Sequence, residues 1–204
     1  ELYGGANETR FALDLPDLVR WIEGGAEPRT ISDANFSPNR LLSLQTRGSA
    51  AYKGLMALSI QQGCRDFKNG DPIELTNYFD EAVDIHHIFP ANYCEKQGLP
   101  RQKWNSIVNK TPITASTNRT LGGRAPSVYI KTIVDRESIT DVRFDECVRT
   151  HGIDPALLRA DDFDGFFRKR AIALLGLIEA TTGKTVSGRD AEETVKAFGH
   201  TLIP

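Results

Sequence analysis

The chain has 204 residues and lacks any apolar run of the roughly 18 residues that a membrane-spanning helix needs. Its N-terminus also lacks the basic-then-apolar pattern of a secretory signal. Cysteine is scarce: Cys64, Cys94 and Cys147 are odd in number, widely spaced and without a CxxC pair, which excludes a disulfide framework and a cysteine zinc knuckle. Excess charge is missing as well, since 25 Lys+Arg against 27 Asp+Glu leave −2, too little for binding nucleic acid by bulk charge. A cytosolic protein is expected. It begins Glu1-Leu2-Tyr3 without an initiator Met and so reads as a piece excised from something longer. One absence is local: from Lys96 to Lys131 there is no Asp or Glu, while Lys96, Arg101, Lys103, Lys110, Arg119, Arg124 and Lys131 make the stretch +7, leaving −9 for the remainder.

What is present reads as a mainly helical α+β protein with three parts: a helical scaffold over 1–82, a small insert over 83–131 and helices over 132–204. Pro16 predicts the first position of a short amphipathic helix stopped by Gly24-Gly25, and a second helix is expected near Pro38. The apolar pattern of Ser49–Gln62, with Gly63 behind it, predicts a buried helix. Val83 to Pro90 is β-branched and aromatic and predicts a strand. A loop is expected from Ala91 to Ser106 and a second extended segment over Ile107–Thr114. Ser116 or Thr117 is expected to cap a helical turn, and Pro126 to start a further helix. The recurrence of Phe163, Phe166, Phe167, Ala171, Leu174, Leu175 and Ile178 predicts a core helix capped by Asp161 or Asp162 and ended by Gly183. Asp190 and Glu193 resemble a capping box.

Two of the four histidines are adjacent, His86-His87, near the end of the predicted strand. Neighbouring strand positions point to opposite faces, so the two imidazoles can hold different jobs, one binding a metal and the other accepting a proton near neutral pH. Asp84 shares the face of His86 and can ligate the metal or fix the tautomer of His86. The plainer alternative is a strand whose histidines hydrogen-bond to backbone or acids. Asn109 as a turn residue and Asn118 as a helix cap are likewise the plain readings of those two taken singly.

Taken together, Asp84-Ile85-His86-His87-Ile88-Phe89-Pro90, Asn109-Lys110-Thr111-Pro112-Ile113-Thr114 and Thr117-Asn118-Arg119 resemble the His-Asn-His (HNH) nucleases, whose core is a ββα-metal finger, also called a His-Me finger. With Leu2-Tyr3-Gly4-Gly5, Ser49–Gly54, Asp66-Phe67 and Gly122–Tyr129, the similarity narrows to the C-terminal nuclease region of GmrSD-type and SspE-like modification-dependent restriction enzymes. It covers the chain to about residue 130.

The resemblance implies a metal-dependent DNA endonuclease, the effector domain of a bacterial restriction or phage-defence protein. His87 matches the general base and Asn109 the central asparagine that holds the loop bearing it. His86 and Asn118 match the metal ligands, with Asp84 a third ligand or orienter. Asn118 stands where the family often has His, which favours a hard cation: Mg²⁺ first, Mn²⁺ second, Zn²⁺ below both. Lys110, Arg119 and Arg124 are then expected on DNA phosphates, contacts that carry no sequence information. An N-terminal sensor domain with nucleotide-hydrolysing activity is the implied partner, and no membrane is. The alternatives are a non-catalytic DNA-binding or assembly module with the same fold, and an RNase with the same finger. Trp104, Phe89 and Tyr93 read as local packing, and His151 and His200 receive no role.

Overall fold

A computed structural model describes residues 8–74, 83–137 and 139–204, with the side chains of Arg10, Val83 and Asp84 outside that description. The segment Leu2-Tyr3-Gly4-Gly5 lies outside the described residues. The chain divides into two compact units, Glu1–Ser37 and Pro38–Pro204.

In the first unit α1 (Glu8–Ile22) is followed by the single turn α2 (Arg29–Ser32). The helix expected to begin at Pro16 begins two turns earlier, with the acidic Glu8 in the first turn facing the positive end of the helix dipole. Pro16 therefore lies inside α1, where its missing N–H removes one rung of the ladder.

The second unit opens with α3 (Arg40–Ser43) and α4 (Ala50–Gln61). Ser49 caps α4, its hydroxyl accepting from the Tyr52 N–H at 3.1 Å, and Tyr52, Leu55, Met56 and Ile60 are buried. Strands β1 (Val83–His87) and β2 (Lys110–Thr114) form an antiparallel pair in which Val83 faces Thr114 and His87 faces Lys110.

The connection between the strands is more ordered than the expected loop. It holds α5 (Ala91–Lys96), α6 (Arg101–Trp104) and a 3₁₀ turn over Ile107–Asn109. Pro90 and Pro100 stand at the N-caps of α5 and α6, so each helix starts from a preset φ and stays too short for a periodic signal. The second strand accordingly begins at Lys110 rather than Ile107.

Helix α7 (Ala115–Leu121) follows β2 without a gap. Its cap is Thr114, whose hydroxyl accepts from the Thr117 N–H at 3.2 Å, rather than Ser116 or Thr117. The buried carboxylate of Asp66 holds this corner, accepting from the Thr114 N–H at 2.9 Å and from the Thr117 hydroxyl. Then come α8 (Pro126–Arg136), α9 (Asp141–Arg149), α10 (Pro155–Arg159), α11 (Phe163–Thr182) and α12 (Glu192–Phe198). Asp162 caps α11 and Gly183 closes it in the left-handed conformation at φ 68°. Ala191, not Asp190, occupies the N-cap of α12, and no side chain caps it.

The molecule is thus mostly helical with one small antiparallel sheet among the described residues, an α+β arrangement. Among those residues no helix is long and apolar enough to cross a membrane. The apolar stripe of α11 is core as the spacing predicts, and it carries one residue the pattern hides, a buried Arg170. Phe89, just beyond β1, packs on α11 with ring centroids 4.9 Å from Phe166 and 5.3 Å from Phe163. The C-terminal helices therefore seat the segment that follows the histidine pair.

Candidate functional site

His86, His87, Asn118 and Arg119 open onto one cavity of about 420 Å³, whose wall is completed by Pro90, Ala91, Asn92, Gly122 and Gly123. Strand alternation predicts opposite faces for the two histidines. Both reach the same cavity because His87 is the last residue of β1, where the chain turns away from the sheet. The cavity is tight on one side: a Cβ at Gly123 would come within 3.0 Å of the Asn92 side chain, so glycine there lets the loop after α7 approach α5.

The segment after the pair is clamped. Asn109, fully buried, accepts from the Phe89 N–H at 2.8 Å and donates to the Phe89 carbonyl at 2.9 Å and the Trp104 carbonyl at 2.8 Å. Its own carbonyl accepts from the Ile88 N–H at 2.9 Å, and the Tyr129 hydroxyl donates to the Ile88 carbonyl at 3.1 Å. The amide donates twice and accepts once here, which a hydroxyl with its single hydrogen cannot do, so Asn109 satisfies buried groups that Ser, Asp or Leu would leave unmatched.

His87 is half-buried, with its ring edge-on to Trp104 at 5.6 Å and Nε2 3.2 Å from Asn105 Oδ1. A relay of amides fixes which way that contact runs. The Leu42 carbonyl can only accept, and it takes the Gln45 amide N–H at 3.3 Å; Gln45 Oε1 takes the Asn105 amide N–H at 3.4 Å. Asn105 Oδ1 is then the acceptor toward His87, so Nε2 carries the proton and Nδ1 is left as the basic nitrogen. Burial, followed by the charge of Lys110, lowers the pKa of His87 below its ordinary value and favours the neutral, proton-accepting ring.

The remaining candidates divide. Asp84 pairs with Ile113 through its backbone, and its side chain lies outside the described residues. Arg119 is exposed on α7 at the cavity wall. Arg124 is exposed beside Gly122 and bridges the flanking helices, donating to the Thr120 carbonyl of α7 at 2.6 Å and the Thr132 hydroxyl of α8 at 3.2 Å. Lys110 is 7% exposed, and its ammonium donates to the Gln45 carbonyl at 2.5 Å, inside the protein rather than at a surface that a phosphate could reach. Burial lowers its pKa to about 8. Among the described residues no group of three or more His, Cys, Asp or Glu side chains could hold a metal ion. Of the residues expected as metal ligands, His86 and Asn118 share the cavity.

Sequence reading missed Asn105, Gln45 and Asp66 as parts of this arrangement, and it missed His151. That ring is fully buried between the Thr111 hydroxyl at 2.6 Å and the Arg65 carbonyl at 2.7 Å. Asp66-Phe67 belongs to the resemblance noted above; the others depend on contacts between distant segments that no local pattern announces.

No family model matches the chain, and no solved structure matches it. It is similar to a protein of Methanocaldococcus jannaschii described as uncharacterized, with 28% identity over 153 residues that cover 72% of this chain. The match spans 26% of that relative, so this chain corresponds to about a quarter of its length.

Proposed function

We propose that the chain is a metal-dependent DNA endonuclease domain of the His-Asn-His type, with β1, β2 and α7 as a ββα-metal finger in a helical scaffold. On this reading it is the effector part of a cytoplasmic restriction or phage-defence protein, and another domain of that protein delivers it to DNA. The observation that carries the reading is the convergence of His86, His87, Asn118 and Arg119 on one cavity, with Asn109 clamping the residue two beyond His87.

The donor set suits a sparsely held cation. One imidazole and one amide match Mg²⁺, which retains several waters and takes substrate oxygens, better than the closed tetrahedral set that Zn²⁺ prefers. His86 and Asn118, with Asp84 as the third expected ligand, would hold such an ion, which when bound would supply charge neutralisation at a phosphate. His87 accepts the proton of the attacking water at Nδ1, since Nε2–H is donated to Asn105. Asn109 keeps Phe89, and with it the end of β1, from moving as charge develops. Arg119 offers its guanidinium to a phosphate oxygen at the cavity mouth, with Arg124 one loop further. Lys110, turned inward, acts on His87 through its charge.

The test is incubation of supercoiled plasmid with Mg²⁺ or Mn²⁺, wild type beside His87→Ala. Nicked or linear product from wild type alone is expected. Cutting unchanged in the variant removes His87 as base. Salt-dependent binding with no cleavage under either ion replaces the reading with a non-catalytic module, and cleavage of RNA in place of DNA changes the substrate class.

A further inference from the structure

Arg170 lies near the middle of α11 with 2% of its surface exposed, yet among the described residues no carboxylate meets it. Nη2 donates to the Lys110 carbonyl across a long 3.4 Å, and Nε, fully buried, has no hydrogen-bond partner among the described residues. Burial lowers the guanidinium pKa to about 10, so it stays cationic at neutral pH. The neighbouring Cys64 thiol is pushed up to about 11 by its own burial and remains neutral. The Asp66 carboxylate is engaged by Lys68 N–H, Thr114 N–H and the Thr117 hydroxyl, and forms no ion pair with Arg170. A buried charge left without a counter-ion is costly, and proteins rarely keep one without a partner.

The guanidinium lines a second cavity of about 340 Å³, whose wall includes His151, Gly152, Ala173, Leu177 and Gln62 and shares no residue with the histidine-pair cavity. Space at the guanidinium is kept open by Gly152, at φ 67°, where a Cβ would come within 3.3 Å of Arg170 Nη1 and 3.2 Å of Ala173 Cβ. His151 contributes no charge, because burial lowers its pKa to about 3 and both ring nitrogens are occupied. Among the described residues that line it, the cavity therefore holds one cation, Arg170, and no anion. We propose that it binds a small organic oxyanion, a carboxylate or a phosphate monoester, whose head pairs with Arg170 and whose apolar body lies against Ala173 and Leu177. The planar guanidinium, with Nη1 at the space beside Gly152, suits an oxyanion head. The volume is at the lower end of the range for small-molecule sites, which points to a single compact ligand rather than a polymer. The proposal stands whether or not the chain cuts DNA.

The experiment is thermal unfolding of the full chain at constant ionic strength, with chloride replaced stepwise by inorganic phosphate in one arm and by butanoate in the other. A saturable rise of about 5 °C is expected in at least one arm, and the arm that gives it names the head group. The rise should survive Arg119→Ala, which removes the competing phosphate contact at the other cavity. It should vanish in Arg170→Gln. It should also vanish in Ala173→Asp, which places a carboxylate one turn along the helix from Arg170 and should itself raise the midpoint in chloride. No saturable rise in either arm overturns the proposal, as does a rise that persists in Ala173→Asp or an Ala173→Asp chain less stable than wild type in chloride.

Discussion

His87 and His151 meet the same short strand on neighbouring residues and are held in opposite ways. His87 faces Lys110 across the sheet and opens onto a cavity, with one ring nitrogen on Asn105 and the other left over. His151 meets Thr111 and is buried with both nitrogens bonded. Burial lowers the pKa of both rings, so protonation state alone does not separate them. The difference lies in unused capacity: a ring with a basic nitrogen to spare at a cavity can do chemistry, and a ring with both nitrogens bonded holds segments together.

The largest effect should come from the half of the comparison with spare capacity. His87→Ala should lower plasmid cleavage by about 10³-fold, the scale of general-base catalysis, while changing the urea midpoint little. A variant that cuts at a tenth of the wild-type rate or better would place the base elsewhere. Next comes the clamp. Asn109→Ala leaves the Phe89 N–H, the Phe89 carbonyl and the Trp104 carbonyl unmatched in a buried setting and should cost about 3 kcal/mol of stability. Urea unfolding within 1 kcal/mol of wild type would show that water or a rearranged loop satisfies those groups.

The structural half of the comparison should show itself in pH. The His151 pKa is lowered to about 3 in the folded chain from an ordinary 6.5, so between those values the unfolded chain binds the extra proton. Stability from this site is therefore full above about pH 6.5 and falls on acidification, by about 1.4 kcal/mol per pH unit while the difference persists. Arg170 opposes protonation of the ring and Asp66 favours it, and neither reverses the direction that burial sets. From pH 6.5 to pH 5 the loss should be about 2 kcal/mol, and His151→Gln should flatten that slope. An equal slope in the variant would assign the acid sensitivity to other groups.

The comparison also marks what was legible in the sequence. His86-His87 before Ile88-Phe89-Pro90, and Asn109 and Asn118 behind them, stand out because chemistry-bearing residue types fall close together along the chain. The α11 stripe is legible because one face repeats over 20 residues. Arg170 hides inside that stripe, since a helical pattern of apolar positions does not report a polar residue sharing the buried face. His151 reads as an isolated histidine, because its partners Arg65 and Thr111 lie 86 and 40 positions away. Lys110 looks like a phosphate contact in an acid-free stretch, yet its ammonium turns inward to the Gln45 carbonyl, 65 residues distant in sequence. Helices α5 and α6 escaped because six and four residues behind an N-cap proline cannot display a period of 3.6.

The smallest expected effect is at Asn105, and it separates orientation from packing. Its side chain is half-exposed and bridges His87 to Gln45 by single hydrogen bonds of 3.2 Å and 3.4 Å, so Asn105→Ala should change stability by less than about 1 kcal/mol. Cleavage should nevertheless fall about 10-fold, because an unanchored imidazole exchanges tautomers and turns about its χ angles, and Nδ1 is then basic and correctly placed only part of the time. Asn105→Asp retains an oxygen acceptor toward Nε2–H and should recover most of the rate. Asn105→Leu fills the same space without an acceptor and should not. If leucine restores cleavage as well as aspartate does, Asn105 supports His87 by packing alone, and the unused nitrogen of His87 owes nothing to the relay that starts at the Leu42 carbonyl.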